Sequence, residues 1–138
     1  MCPYQIMSVG RNPLTGRPII CYLANMLNNE MVRKVNLRTL KALASETRLA
    51  ILEWLKDPVA HFPPQVDGDL IQDGVCADFI REKLGISAAT ASRHLTLLTE
   101  AGLLNATRKK GWTFYRRDEQ ALQSFFQQLQ AYLLKEIP

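Results

Sequence analysis

The segment Leu84-Gly85-Ile86-Ser87-Ala88-Ala89-Thr90-Ala91-Ser92-Arg93-His94-Leu95-Thr96-Leu97-Leu98 restricts the fold more than any other, because it forces a corner between two helices. Upstream, Phe79, Ile80 and Leu84 recur at helical spacing, which predicts a helix over 75–84. Gly85, free to adopt the left-handed conformation that closes a helix, ends it. Ser87 can then accept a backbone N–H at the start of the next helix, with Thr90 in the place of the Glu or Gln of a capping box. Along that second helix Ala91, Leu95 and Leu98 form one apolar stripe, with Ala88 and Leu97 at its edges. The opposite face carries Ala89, Thr90, Ser92, Arg93, Thr96 and Thr99: small groups, hydroxyls and one guanidinium, with no carboxylate before Glu100.

The residues beyond this helix make that face informative. Gly102 closes the helix, Leu103 to Arg108 reads as a strand, Lys109-Lys110-Gly111 as a turn, and Trp112 to Arg117 as a second, aromatic-rich strand. Between Ser87 and Arg117 six basic residues stand against Glu100 alone, a net of +5, whereas the whole chain carries +4. A plain helical hairpin would meet water with its polar face. A helix pair with a small, cationic second face and a basic hairpin beside it instead fits a helix-turn-helix that places its second helix in a DNA major groove.

Ser92-Arg93-His94-Leu95, then Leu97-Leu98-Thr99-Glu100-Ala101-Gly102-Leu103, a basic turn and an aromatic strand resemble the winged helix-turn-helix of the arsenical-resistance-repressor (ArsR) family of bacterial regulators. The run Leu40-Lys41-Ala42-Leu43-Ala44-Ser45-Glu46-Thr47-Arg48-Leu49-Ala50-Ile51-Leu52 is similar to that family's opening, so the resemblance covers roughly Leu37 to Leu133. It implies a mainly α fold with a small β-hairpin, a winged helix-turn-helix that dimerises through terminal helices.

At 138 residues the chain has room for one domain, and 47% hydrophobic with 22% charged residues is a globular composition. No apolar run approaches a membrane span, and the N-terminus lacks a basic segment followed by a long apolar one, so a cytoplasmic protein without membrane contact is expected. Three cysteines, Cys2, Cys21 and Cys76, far apart and without a C-x-x-C, suit a reducing compartment.

Residues 1–36 read as an N-terminal extension. Met1 to Pro18 is broken by Pro3, Gly10, Pro13, Gly16 and Pro18, whereas Ile19, Leu23, Met26 and Leu27 suggest a helix over 19–31. The resemblance implies that this helix adds to a dimer interface. On the other reading, Met31 is the start and the preceding residues are an upstream extension. Residues 37–138 form the winged helix-turn-helix domain. Leu37, Leu40, Leu43 and Ala44 mark its first helix, Ser45 caps a second over Glu46 to Lys56, and Leu49, Ile51, Leu52 and Leu55 supply core. Arg48 is placed either to reach a phosphate or to pair within the chain.

Pro58 to Gly74 departs from the family pattern as a longer loop. From Asp57 to Asp78 there are five acidic residues and no Lys or Arg, a net of −5. Such a loop is repelled by DNA and is expected to lie away from the duplex, solvated, holding a cation or meeting a partner. Next, Cys76 is expected in the first turn of the helix over 75–84, where metal-sensing relatives carry two cysteines two apart. Here the second position is Asp78, a poor ligand for soft As(III), so no metal site is assigned. Cys76 is a candidate sensor thiol or a buried, inert residue. Asp118 can cap a last helix over 118–136, with Leu122, Phe125, Phe126, Leu129, Tyr132 and Leu133 on one broad stripe. A second copy of the same helix covers such a stripe, unless it folds back on its own subunit. The helix contains no His, so the zinc site that some family members hold there is absent.

These observations lead to a sequence-specific, homodimeric DNA-binding transcription regulator, a repressor released from its operator by a signal, with double-stranded DNA carrying an imperfect palindrome as partner. Ser87, Thr90, Ser92, Arg93 and Thr96 are expected at the major groove, and Lys109, Lys110 and Arg117 at phosphates, with Arg108 and Arg116 as flanking charge. His94 either reaches the duplex or holds the motif's corner. The releasing signal is open between a thiol sensor at Cys76, with or without Cys21, a metal site recruiting Asp78 or His61, and control by abundance. The alternative is a winged-helix protein-interaction module. His61 and His94 are the only histidines and nucleophile or phosphate-loop motifs are missing, so neither catalysis nor a cofactor is expected.

Overall fold

The structure, a computed structural model, describes residues 36–134. The helix expected over 19–31, Cys2, Cys21 and the end of the 118–136 helix lie outside the described residues. Asn36–Gln127 makes one compact unit, and residues 128–134 belong to a second.

Capping side chains set the first elements. Asn36 accepts the N–H groups of Arg38 and Thr39 at 3.1 and 3.4 Å to start α1 (Leu37–Leu43). Ser45 accepts that of Arg48 at 3.5 Å to start α2 (Glu46–Lys56). Asp57 then caps one further turn, α3 (Pro58–His61), with proline at the first position where its missing N–H would have no partner. The remaining order is β1 (Val75–Cys76), α4 (Ala77–Leu84), α5 (Ala88–Glu100), β2 (Leu104–Lys109), β3 (Trp112–Arg117) and α6 (Glu119–Leu133).

The core joins Ile51, Leu52 and Leu55 of α2 to Ile80 of α4, Leu95 and Leu98 of α5, Leu103 and Leu104 at the start of the hairpin, and Leu122 of α6. Two apolar faces differ from expectation. Leu49 is exposed rather than core, because the inward side of α2 is set by Ile51, Leu52 and Leu55. In α1, Leu37 and Leu40 face outward and Thr39 and Ala42 inward. Thr39 is tolerated there because its hydroxyl donates to the carbonyl of Ala101 at 3.2 Å, joining α1 to the end of α5.

The hairpin is part of a three-stranded antiparallel sheet ordered β1-β3-β2. Val75 pairs with Tyr115 and Cys76 with Phe114, so these residues form a strand and the helix begins only at Ala77. Pairing to a strand some forty residues away overrides their place in the helical pattern. Between β2 and β3, register runs from Leu104 opposite Arg117 to Lys109 opposite Trp112. The connecting pair has φ 52° at Lys110 and 84° at Gly111, a two-residue hairpin turn whose twist matches the strands. Among the described residues no helix is long and apolar enough to cross a membrane.

Candidate nucleic-acid interface

The α4–α5 corner forms as its residues dictate. Gly85, at φ 66°, donates to the carbonyls of Arg81 and Glu82 at 3.0 and 3.1 Å, closing α4 in the left-handed cap conformation. Two residues on, Ser87 Oγ accepts the N–H of Thr90 at 3.2 Å and lies 2.8 Å from the Thr90 hydroxyl. Each oxygen keeps hydrogen-bonding capacity beyond that contact, and both side chains are exposed. With Ala91, Leu95 and Leu98 buried, the helix turns Ser92, Arg93 and Thr96 outward. The guanidinium of Arg93 has no ion pair among the described residues. Thr99, on the edge of this face, donates its hydroxyl to the Leu95 carbonyl at 2.7 Å and is half-buried.

Behind the exposed face, Arg48 and His94 are joined to each other. Arg48 donates through Nε to the carbonyl of Ala42 at 2.5 Å and through its terminal nitrogens to the Lys41 carbonyl at 3.1 Å and to His94 Nδ1 at 3.3 Å. A guanidinium has no acceptor, so Nδ1 accepts and the imidazole is neutral, with its proton on Nε2. Desolvation, then the charges of Arg48 and Arg93, hold the His94 pKa below its ordinary value. Both residues therefore brace α1 and α2 against α5.

At the wing the cations divide. Arg108 is exposed, with no carboxylate partner among the described residues. Lys109 Nζ lies 3.0 Å from Asp73 Oδ2, and Lys110 Nζ lies 3.6 Å from Asp67 Oδ1. Arg116 donates to the Gln72 carbonyl at 3.1 Å. The acidic loop thus folds onto the wing, its carboxylates paired with the chain's own lysines rather than merely solvated. A net −5 segment and a cationic hairpin tip on one chain attract each other, a complementarity that repulsion from DNA alone does not capture. Asp73 is held below the usual carboxylate range by the N–H of Asp69 and by Lys109.

Arg117 is engaged elsewhere. Its guanidinium grips Glu119 through two bonds of 2.7 and 2.8 Å and donates to the Leu52 carbonyl at 3.0 Å, fixing the start of α6 to α2. The side chain is only 16% exposed, so it is less open to solvent than Lys109 or Lys110. Of the stripe on α6, Leu122 and Phe125 are buried within the chain and need no partner to cover them. Phe126, Tyr132 and Leu133 are exposed and Leu129 is half-buried.

Cys76 is buried at the head of α4, its N–H donating to Gln65 Oε1 at 2.6 Å. It lines a cavity of about 200 Å³ with Gln65, Val66, Asp67, Phe79, Trp112 and Phe114. Asp78 pairs instead with Arg81 at 3.6 Å, and His61 is exposed on α3. Among the described residues no three His, Cys, Asp or Glu side chains come together as a metal-binding group.

No family model matches the sequence. The chain is 48% identical, over 82 residues, to the uncharacterized HTH-type transcriptional regulator YbzH of Bacillus subtilis (strain 168), an alignment spanning 59% of this chain and 82% of that protein. In structure it is similar to a possible transcriptional regulator for arsenical resistance, with a TM-score of 0.54 and 21% identity over 72% of this chain and 88% of that one. The second likeness shows a shared fold, the winged helix-turn-helix, and the first, over most of the relative's length, shows kinship. The chain belongs to the HTH-type transcriptional regulators and is a DNA-binding regulator built on a winged helix-turn-helix.

Proposed function

We propose that this regulator is a homodimeric repressor that seats α5 in the major groove of an imperfectly palindromic operator and leaves it on receiving a signal. The observation that carries this reading is the outward face of α5, where Ser92, Arg93 and Thr96 stand exposed and the guanidinium is unpaired among the described residues. Ser87 and Thr90, at the helix's amino end, approach phosphate or base edges, and Arg93 reads a base or clamps the backbone. Lys109 and Lys110 meet the flanking backbone from the tip of the β2–β3 wing, with Arg108 beside them. The exposed apolar residues of α6, Phe126, Tyr132 and Leu133, support dimerisation through this terminal helix, since a second copy covers such a face. Residues 37–138 are then the DNA-binding domain, with 58–74 an insertion that bears on the wing.

Selection of duplexes from a random pool, with footprinting of the selected sites, tests the reading. A two-fold site with half-sites about one helical turn apart is expected. Binding that shows neither sequence preference nor salt dependence would point to a protein-interaction module on the same fold.

A further inference from the structure

We infer that the acidic loop is a built-in competitor of DNA: the carboxylates of Asp67 and Asp73 occupy the wing-tip ammonium groups of Lys110 and Lys109 in the free protein, and operator phosphates must displace them. This rests on the proposed wing contact with DNA and adds to it a residue pair that sets affinity.

The loop is seated on the wing by more than charge. Gly68 lies against the buried ring of Phe114 in β3, where a Cβ would fall 2.7 Å from the ring edge. At Gly74, with φ of 102°, a Cβ would fall 2.3 Å from the Tyr115 carbonyl oxygen. Gln65 closes the base of the loop, donating to the Gly74 carbonyl at 2.8 Å and accepting from Cys76 at 2.6 Å. Within the loop, Asp69 accepts the N–H groups of Ile71 and Gln72 at 2.9 and 2.7 Å, and Asp73 that of Asp69 at 2.8 Å. The Asp73 carboxylate is therefore preorganised and that of Asp67 is tethered beside the seated Gly68, so both act at a high effective concentration.

The pairs remain breakable. Lys109 and Lys110 are 46% and 69% exposed, and ion pairs at such exposure are weak and screened by salt. Transfer of each lysine from carboxylate to phosphate releases a cation from DNA but leaves a carboxylate to recruit one. The competitor should therefore lower both the affinity and the steepness of its salt dependence.

The test is a double-mutant cycle on operator affinity, measured across a salt series with the full chain. D67N/D73N is expected to bind any duplex about 3- to 10-fold more tightly at low salt, with a salt slope steeper by up to about two units. In a K109A/K110A background the same pair of substitutions should change affinity less than about 2-fold. D67N alone, which leaves the Asp73 hydrogen bonds intact, should give a smaller gain in the same direction, and thermal unfolding verifies that each variant is folded. An equal gain in both backgrounds would mean general charge repulsion, and unchanged or weaker binding by D67N/D73N would make the loop a brace; either overturns the competitor. If the lysine substitutions themselves leave affinity unchanged in the D67N/D73N background, the wing reading fails and the competitor with it.

Discussion

Arg48 on α2 donates to Nδ1 of His94 on α5 across 3.3 Å, and the same guanidinium holds two carbonyls at the end of α1. One side chain thus orients the helix whose far face is exposed for recognition. Arg48→Ala removes all three bonds and should destabilise the domain by about 1–3 kcal/mol, measured by urea unfolding. Arg48→Lys should recover only part of this, since an ammonium cannot reproduce the planar fork.

The same contact predicts a pH effect. The folded-state pKa of His94 is depressed, mainly by desolvation and then by Arg48 and Arg93, so its contribution is present above the unfolded value near 6.5 and is lost as pH falls through the folded value. Wild-type stability should decline below about pH 6.5 more steeply than that of His94→Gln, which cannot protonate. Parallel unfolding midpoints for the two proteins from pH 7 to 5 would remove this role.

Lys110 holds a left-handed conformation, φ 52°, at the hairpin tip. Lys110→Asn, better suited to that position, should raise stability by about 0.5–1 kcal/mol while weakening DNA binding through the lost charge. Unfolding and binding measured on one preparation should thus move in opposite directions.

Asp118 Oδ1 accepts the Ala121 N–H at 2.8 Å, capping α6, and Oδ2 accepts from Asn105 at 3.3 Å. Asp118→Ala should cost about 1 kcal/mol near neutral pH. The hydrogen bond from Ala121, then that from Asn105, depresses its pKa, so the difference from wild type should shrink as pH falls through the folded value, at the acid end of the carboxylate range.

Much of this architecture is legible in local sequence because its determinants are neighbours. The Gly85 corner, the Ser87 cap, the Ala91–Leu95–Leu98 stripe and the turn before Trp112 each depend on residues within a few positions of one another. The remainder depends on distant partners. Val75 and Cys76 are too few to show an alternating pattern, and only β3 makes them a strand. Arg117 reads as wing charge until Glu119 and the Leu52 carbonyl enclose it. Thr39 gives no local sign of burial, because its hydroxyl finds its acceptor 62 residues away. Asp67 and Asp73 meet the wing lysines through tertiary packing, so local sequence shows only two opposite charge runs.

On the outward face of α5, Arg93 is the side chain with the most to contribute to base recognition. Affinity of Arg93→Ala for the selected operator and for an unrelated duplex should be measured at one fixed salt concentration. A loss of about 1–3 kcal/mol on the operator with a much smaller loss on the unrelated duplex is the predicted result. Operator binding as tight as that of the parent, in a variant that also carries Ser92→Ala, would contradict it.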